Sequence, residues 1–269
     1  MSEVERYISS LESANPLREP IIRTVIESLQ LPKGSLGLDI GCGIGLYTLL
    51  LAEAVGPGGH VTGIDITEEF LEKARSLSSQ SRIGDRTSFK EGDAGKLPFD
   101  ENTYDWACSM DFAGYAPLEP VALLKEMGRI VKPGGMVFIL MWSSQKLLPG
   151  FPKLEAELNA TSSGIAPFNV ARNPEYHMMR ALGWFSRAGL IEQEVRTFVR
   201  DICPPLSPEM RTALIDLLQM RWGEAETEVA SEVWAEYQRL CREESPDFIL
   251  NVPEYYGFFT YSLFCGRVV

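Results

Sequence analysis

Leu38-Asp39-Ile40-Gly41-Cys42-Gly43-Ile44-Gly45 is the stretch that sets the architecture of this chain. It reads as a buried strand that stops at three glycines spaced two apart and runs at once into a helix, Leu46 to Ala54. Glycines suit such a turn because it uses φ > 0, and because no Cβ then stands between the backbone and a ligand. The helix start offers free N–H groups and a positive dipole end to a polar or anionic group. Asp65 closes the next apolar strand, Val61-Thr62-Gly63-Ile64. A carboxylate at the end of a second strand is where α/β nucleotide-type sites hold ribose hydroxyls. Together the two stretches predict a nucleoside-binding crevice.

The spacing narrows the ligand. A dinucleotide fingerprint requires a glycine three positions after Gly43, where this chain has Leu46. No Gly-Lys-Ser/Thr follows, so a phosphate loop is excluded as well. The pattern Asp-x-Gly-x-Gly-x-Gly resembles motif I of class I S-adenosylmethionine-dependent methyltransferases. Four further stations follow in order: Val61–Ile66, Glu91-Gly92-Asp93-Ala94, Tyr104–Met110, and Leu124–Gly135 with its Lys132-Pro133-Gly134-Gly135 turn. Within that class, Gly92–Phe99 and the Lys132–Gly135 turn look most like the ubiquinone/menaquinone-biosynthesis-like small-molecule methyltransferases. The resemblance covers roughly residues 36 to 142. It implies a Rossmann-like fold with a seven-stranded sheet, its last strand antiparallel, and S-adenosyl-L-methionine as cofactor. It also implies that the loop of Gly41, Cys42, Gly43 and Gly45 wraps the methionine part, with Asp39 oriented toward its amino end. Asp65 then takes the ribose hydroxyls, Ile66 walls the purine, Asp93 and Ala94 hold the adenine edge, and Met110 stands where the methyl group points.

Composition bounds the substrate. The chain has 269 residues, 25 basic against 37 acidic, and a net charge of −12. Nucleic-acid binders need a basic face that displaces counterions, so neither DNA nor RNA is expected as substrate. Five cysteines without a Cys-x-x-Cys fit free thiols in a reducing compartment, and no metal site is expected. Met1–Arg6 is charged and lacks the apolar core of a signal peptide, and no apolar run is long enough to span a membrane. A cytoplasmic protein is the expectation, with its oligomeric state open.

Alternating patterns predict strands near 36–40, 60–65, 86–90, 104–109 and 136–142, with helices near 45–55, 67–79 and 118–131. That alternation is the signature of a doubly wound, mostly parallel sheet. Residues 2–13 and 17–30 read as two amphipathic helices broken at Asn15-Pro16, with Ile21, Ile22, Val25, Ile26 and Leu29 on one stripe. Residues 143–172 are Ser-, Pro- and Gly-rich and read as a lid-like loop with one short helix at 152–159. A helix pair lies within 204–250, between strands near 191–200 and 257–266. The expected organisation is one methyltransferase domain over 1–269, in which residues 1–31 and 204–250 form a helical cap.

Several side chains are candidates for chemistry. Asp111, just past the fourth strand, is the carboxylate best placed as a general base or acceptor-orienting group, although loop aspartates usually cap or solvate. Tyr115, Trp142 and Ser143 occupy comparable rim positions. His177 either faces the substrate or is a solvated helix residue, and His60 reads as structural. The aromatic run from Tyr255 to Phe264 reads as sheet core.

Methyl transfer proceeds by in-line attack on the methyl carbon, so the protein mainly aligns the reactants and excludes water. The absence of an Asn/Asp-Pro-Pro-Tyr/Phe tetrapeptide after strand four argues against methylation of adenine or glutamine amino groups. The expected activity is methyl transfer to a small or medium-sized, partly apolar acceptor. The alternative is a catalytically silent module that binds S-adenosylmethionine or S-adenosylhomocysteine as a sensor or accessory subunit.

Overall fold

The computed structural model describes residues 2–113, 118–165 and 173–269. The chain divides into two compact units. The larger comprises Ile21–Met141, Asn173–Phe198 and Tyr261–Val269, and the other the described parts of residues 2–20, 142–165 and 199–260.

The elements run α1 (Glu3–Leu29), β1 (Leu36–Ile40), α2 (Leu46–Val55), β2 (His60–Asp65), α3 (Glu68–Gln80), β3 (Thr87–Glu91), β4 (Tyr104–Met110) and α4 (Pro120–Ile130). They continue with β5 (Val131–Lys146), α5 (Pro152–Asn159), α6 (Ser162–Ile165), α7 (Ala181–Arg187), β6 (Ile191–Ile202), α8 (Pro208–Trp222), α9 (Ser231–Cys241) and β7 (Gly257–Arg267). The sheet has seven strands in the order β3-β2-β1-β4-β5-β7-β6. Strands β1 to β5 pair in parallel and the last strands are antiparallel, as expected for the doubly wound class.

β1 pairs along both edges, with β2 and β4, and its residues from Gly37 to Ile40 are buried, Asp39 among them. Close packing there depends on Gly37: a Cβ at that position would lie 2.0 Å from the Trp106 ring on β4. The Trp106 indole N–H donates to Ser35 Oγ at 2.9 Å, which satisfies the one polar atom of a fully buried ring. At the N-terminal end of β4, Asp105 accepts from the Leu36 N–H (2.7 Å) and from Lys132 Nζ (2.7 Å).

Two expectations need correction. Residues 3–29 form one helix, not two, with Pro16 and Pro20 inside it. An internal proline costs about 3 kcal/mol, but Leu17, Ile21, Ile22, Val25, Ile26 and Leu29 are all buried, at roughly 1.5–3 kcal/mol each, and their burial outweighs the two lost backbone bonds. Residues 143–172 are less loop-like than their composition suggests, because β5 runs on to Lys146 and α5 and α6 follow within the described part. Glu155 explains some of that order, for its buried carboxylate accepts from the Leu147 N–H at 2.7 Å. In α9 the buried side chains are Trp234, Tyr237, Leu240 and Cys241. The Lys132–Gly135 turn is a bulge within β5: pairing steps from Tyr104↔Val131 to Trp106↔Met136, and Gly134 has φ 78°.

Among the described residues, no helix is long and apolar enough to cross a membrane.

Candidate functional site

The carboxyl ends of β1, β2 and β3 converge on one hydrogen-bonded corner. Gly41 and Cys42 donate their N–H groups to the Ile64 carbonyl at 2.8 and 3.1 Å, which lashes the glycine loop to the end of β2. Gly41, Gly43 and Gly45 have φ of 72°, 52° and 77°, the left-handed region in which side chains are strained. At Gly41 a Cβ would also lie 2.3 Å from Cγ of Phe112, whose ring sits directly over the loop.

Asp65 ties the corner together. Its Oδ2 accepts from the Gly43 N–H at 2.9 Å and its Oδ1 from the Thr67 N–H at 3.0 Å. The Asp65 carbonyl accepts from the Gly92 N–H at 3.0 Å, which brings in the end of β3. Thr67 precedes α3 without a side-chain cap, and the Asp65 contact to the Thr67 N–H is an Asx turn that leads into the helix. Each carboxylate oxygen carries two acceptor lobes, and one backbone donor engages only one of them. Next to it, Ile66 is 70% exposed, an apolar side chain held in water beside a carboxylate.

Asp39 lies beneath the loop, 2% exposed. Thr48 on α2 donates to its Oδ2 at 2.7 Å, and the Cys108 thiol on β4 stands 3.6 Å from Oδ1. Burial pushes the Asp39 carboxyl up to about 6, against the opposing pull of these two donors. Burial likewise lifts the Cys42 and Cys108 thiols well above their ordinary range. Both stay protonated at neutral pH and are poor nucleophiles. Cys42 contributes its backbone and its small size.

Asp93 is exposed and forms an Asx turn through the Gly95 N–H at 2.8 Å, while Ala94 beside it is buried. Met110 ends β4, 5% exposed. Asp111 follows with φ 53°; its N–H donates to the Leu140 carbonyl at 2.8 Å and its Oδ2 accepts from the Tyr261 hydroxyl at 2.6 Å.

The structure thus brings together Asp39, the glycine loop, Asp65, Ile66, Asp93, Ala94, Met110 and Asp111 within the larger unit. Tyr115 lies outside the described residues. His177 spends its Nδ1 accepting the Met179 N–H at 3.2 Å, a capping contact at the start of a short turn before α7. Trp142 and Ser143 belong to the other unit. There Trp142 stacks on Phe259 at 4.2 Å beneath the Arg221 guanidinium, and Ser143 Oγ lies 2.7 Å from Thr260 Oγ1.

Four residues of the site escaped the sequence reading: Thr48, Cys108, Phe112 and Tyr261. Thr48 left a signal, as the polar residue facing inward from the apolar Leu46–Ala52 helix start. The other three sit in apolar runs where nothing marks one side chain above its neighbours.

Residues 38–135 match the family profile described as methyltransferase domain. Demethylmenaquinone methyltransferase of Staphylococcus aureus is 37% identical over 134 residues, 50% of this chain and 54% of that protein. The chain therefore spans about half the length of the curated relatives it matches. Among solved structures, the YcgJ protein of Bacillus subtilis superposes with a TM-score of 0.56 at 17% identity, covering 93% of this chain and 99% of that one. An S-adenosylmethionine-dependent methyltransferase of Aquifex aeolicus gives a TM-score of 0.55 at 16% identity, with all of both chains covered. At such identities these two likenesses speak for the fold. The resemblance read from the sequence is borne out as a likeness: residues 38–135 match the profile of a methyltransferase domain.

Proposed function

We propose that this protein binds S-adenosyl-L-methionine at the corner built by the glycine loop, Asp65 and Asp93, and transfers its methyl group to a small or medium-sized, partly apolar acceptor. The observation that carries the reading is the link from the Gly43 N–H to the Asp65 carboxylate at 2.9 Å, beside the exposed Ile66. Such a corner fits the cofactor. Asp65 retains acceptor capacity for paired hydroxyls, and the exposed Ile66 beside it offers an apolar wall for a purine. Asp39, Cys42, Gly45, Ala94 and Met110 complete the proposed cofactor set. When bound, the cofactor supplies a methyl group activated by a sulfonium. The chain's own contribution is to hold the loop rigid, keep Asp39 and the two thiols out of the chemistry, and present Asp111 at the end of β4 to orient an acceptor or accept its proton.

The acceptor class has separate support. The S. aureus relative is named for a small-molecule substrate, demethylmenaquinone. The net charge of −12 opposes a polyanionic one. All five cysteines are free, which fits a reducing, cytoplasmic setting. Tyr115, Trp142, Ser143 and His177 remain candidates for acceptor choice by their place in the sequence, the last three beyond residues 38–135.

Calorimetric titration with S-adenosylhomocysteine, paired with transfer of radiolabelled methyl into a fractionated cell extract, tests the reading. The wild type should bind, and Asp65→Ala should weaken binding at least tenfold, about 1.4 kcal/mol. Label should enter the small-molecule fraction. Label in protein or nucleic acid refutes the acceptor class, and binding of a nicotinamide cofactor instead refutes the whole assignment. Tight binding with no label in any fraction favours the silent binding module.

A further inference from the structure

The Asp111–Tyr261 pair has no place in the cofactor corner, and its geometry is more constrained than a loop aspartate requires. Asp111 adopts φ 53°, in the left-handed region, which costs a non-glycine residue of the order of 1 kcal/mol although aspartate enters it more readily than most. Its N–H extends the β4–β5 ladder one step by bonding to the Leu140 carbonyl. The left-handed residue then turns the chain so that the next ring, Phe112, falls on Gly41. Asp111 is thus fixed next to the glycine loop by its backbone. A third restraint acts on the side chain itself: the Tyr261 hydroxyl, from the middle of the buried strand β7, reaches Oδ2 at 2.6 Å. An O–H to carboxylate bond of that length is charge-assisted and directional. Backbone strain held by surrounding structure is a mark of functional positions.

We propose that Tyr261 is a positioning residue. It fixes the Asp111 carboxylate at the carboxyl end of β4, where that group serves the methyl acceptor. This rests on the methyltransferase reading above and extends it to a residue 150 positions away in the chain. Where the acceptor must lose a proton, that proton passes to Asp111. The acceptor's freed electron pair forms the new bond to the methyl carbon, and the pair of the broken carbon–sulfur bond stays on sulfur.

Tyr261→Phe, Asp111→Asn and the double variant test the role in the full-length protein. The probes are S-adenosylhomocysteine in calorimetry and radiolabelled S-adenosylmethionine with the small-molecule fraction of a cell extract. For Tyr261→Phe we expect the S-adenosylhomocysteine Kd to stay within twofold of the wild type. The turnover rate should fall about tenfold with the KM for S-adenosylmethionine unchanged, the signature of an interaction used in the transition state. The double variant should be no slower than Asp111→Asn, because the two residues act as one unit. Full activity in Tyr261→Phe overturns the proposal, and so do additive losses in the double variant. A loss of binding and melting temperature that parallels the loss of rate overturns it too, since the tyrosine would then be structural. If the wild type binds S-adenosylhomocysteine yet transfers no label, the methyltransferase reading itself falls; a labelling wild type with an unaffected variant removes only the role of Tyr261.

Discussion

Replacing Asp39 by asparagine should change how the stability of this protein depends on pH. The carboxyl of Asp39 is held at about 6 in the folded chain, against an ordinary 3.8, with burial as the main cause. A carboxyl that binds its proton more tightly when folded adds stability in full below pH ~4, and loses it as the pH rises through ~6. The gap of about 2.2 units corresponds to about 3 kcal/mol by pH 8, at 1.36 kcal/mol per unit. By the same relation about half of that is already lost at pH 5. The side-chain amide of the variant would not titrate, yet its oxygen could still accept from Thr48 Oγ1. Urea unfolding of the wild type and Asp39→Asn at pH 5 and pH 8 isolates the effect, because every other group cancels in the difference. The variant should gain about 1.4 kcal/mol relative to the wild type between those two values. Parallel curves would refute the reasoning, for they would mean that the folded chain ionises Asp39 as readily as water does.

Two further substitutions test the packing. Gly37→Ala places a methyl 2.0 Å from the Trp106 ring, between β1 and β4, and should lower stability by about 2–3 kcal/mol, read as a fall in melting temperature without loss of the far-UV spectrum. Tyr237→Phe should leave the protein as stable or raise stability by about 1 kcal/mol in the same melt, because the buried Tyr237 hydroxyl has no hydrogen-bond partner among the described residues.

The cofactor corner was readable because its determinants are local. Glycine is demanded wherever the backbone turns through positive φ or lies under Phe112, and three glycines spaced two apart record that demand directly. The same holds for Asp65, which sits one residue past an apolar run, and for the alternation that put β1 to β5 within a few residues of where they are. Glycines and periodicity act within a turn or two, so a linear reading captures them.

The structure settled what depends on burial and on partners distant in the chain. Pro16 looks like a helix breaker until the buried stripe from Leu17 to Leu29 is weighed against it. Asp39 is an ordinary strand aspartate in the sequence until Thr48 and Cys108 enclose its carboxyl and burial raises its pKa. Asp111 is one more loop aspartate until β7, laid beside β5 in the sheet, brings the Tyr261 hydroxyl to its carboxylate. Residue type and spacing specify which backbone conformations a segment can adopt. Which charges are stripped of water, and which side chains meet across 69 or 150 residues, follows from strand order, and strand order is a property of the packed sheet as a whole.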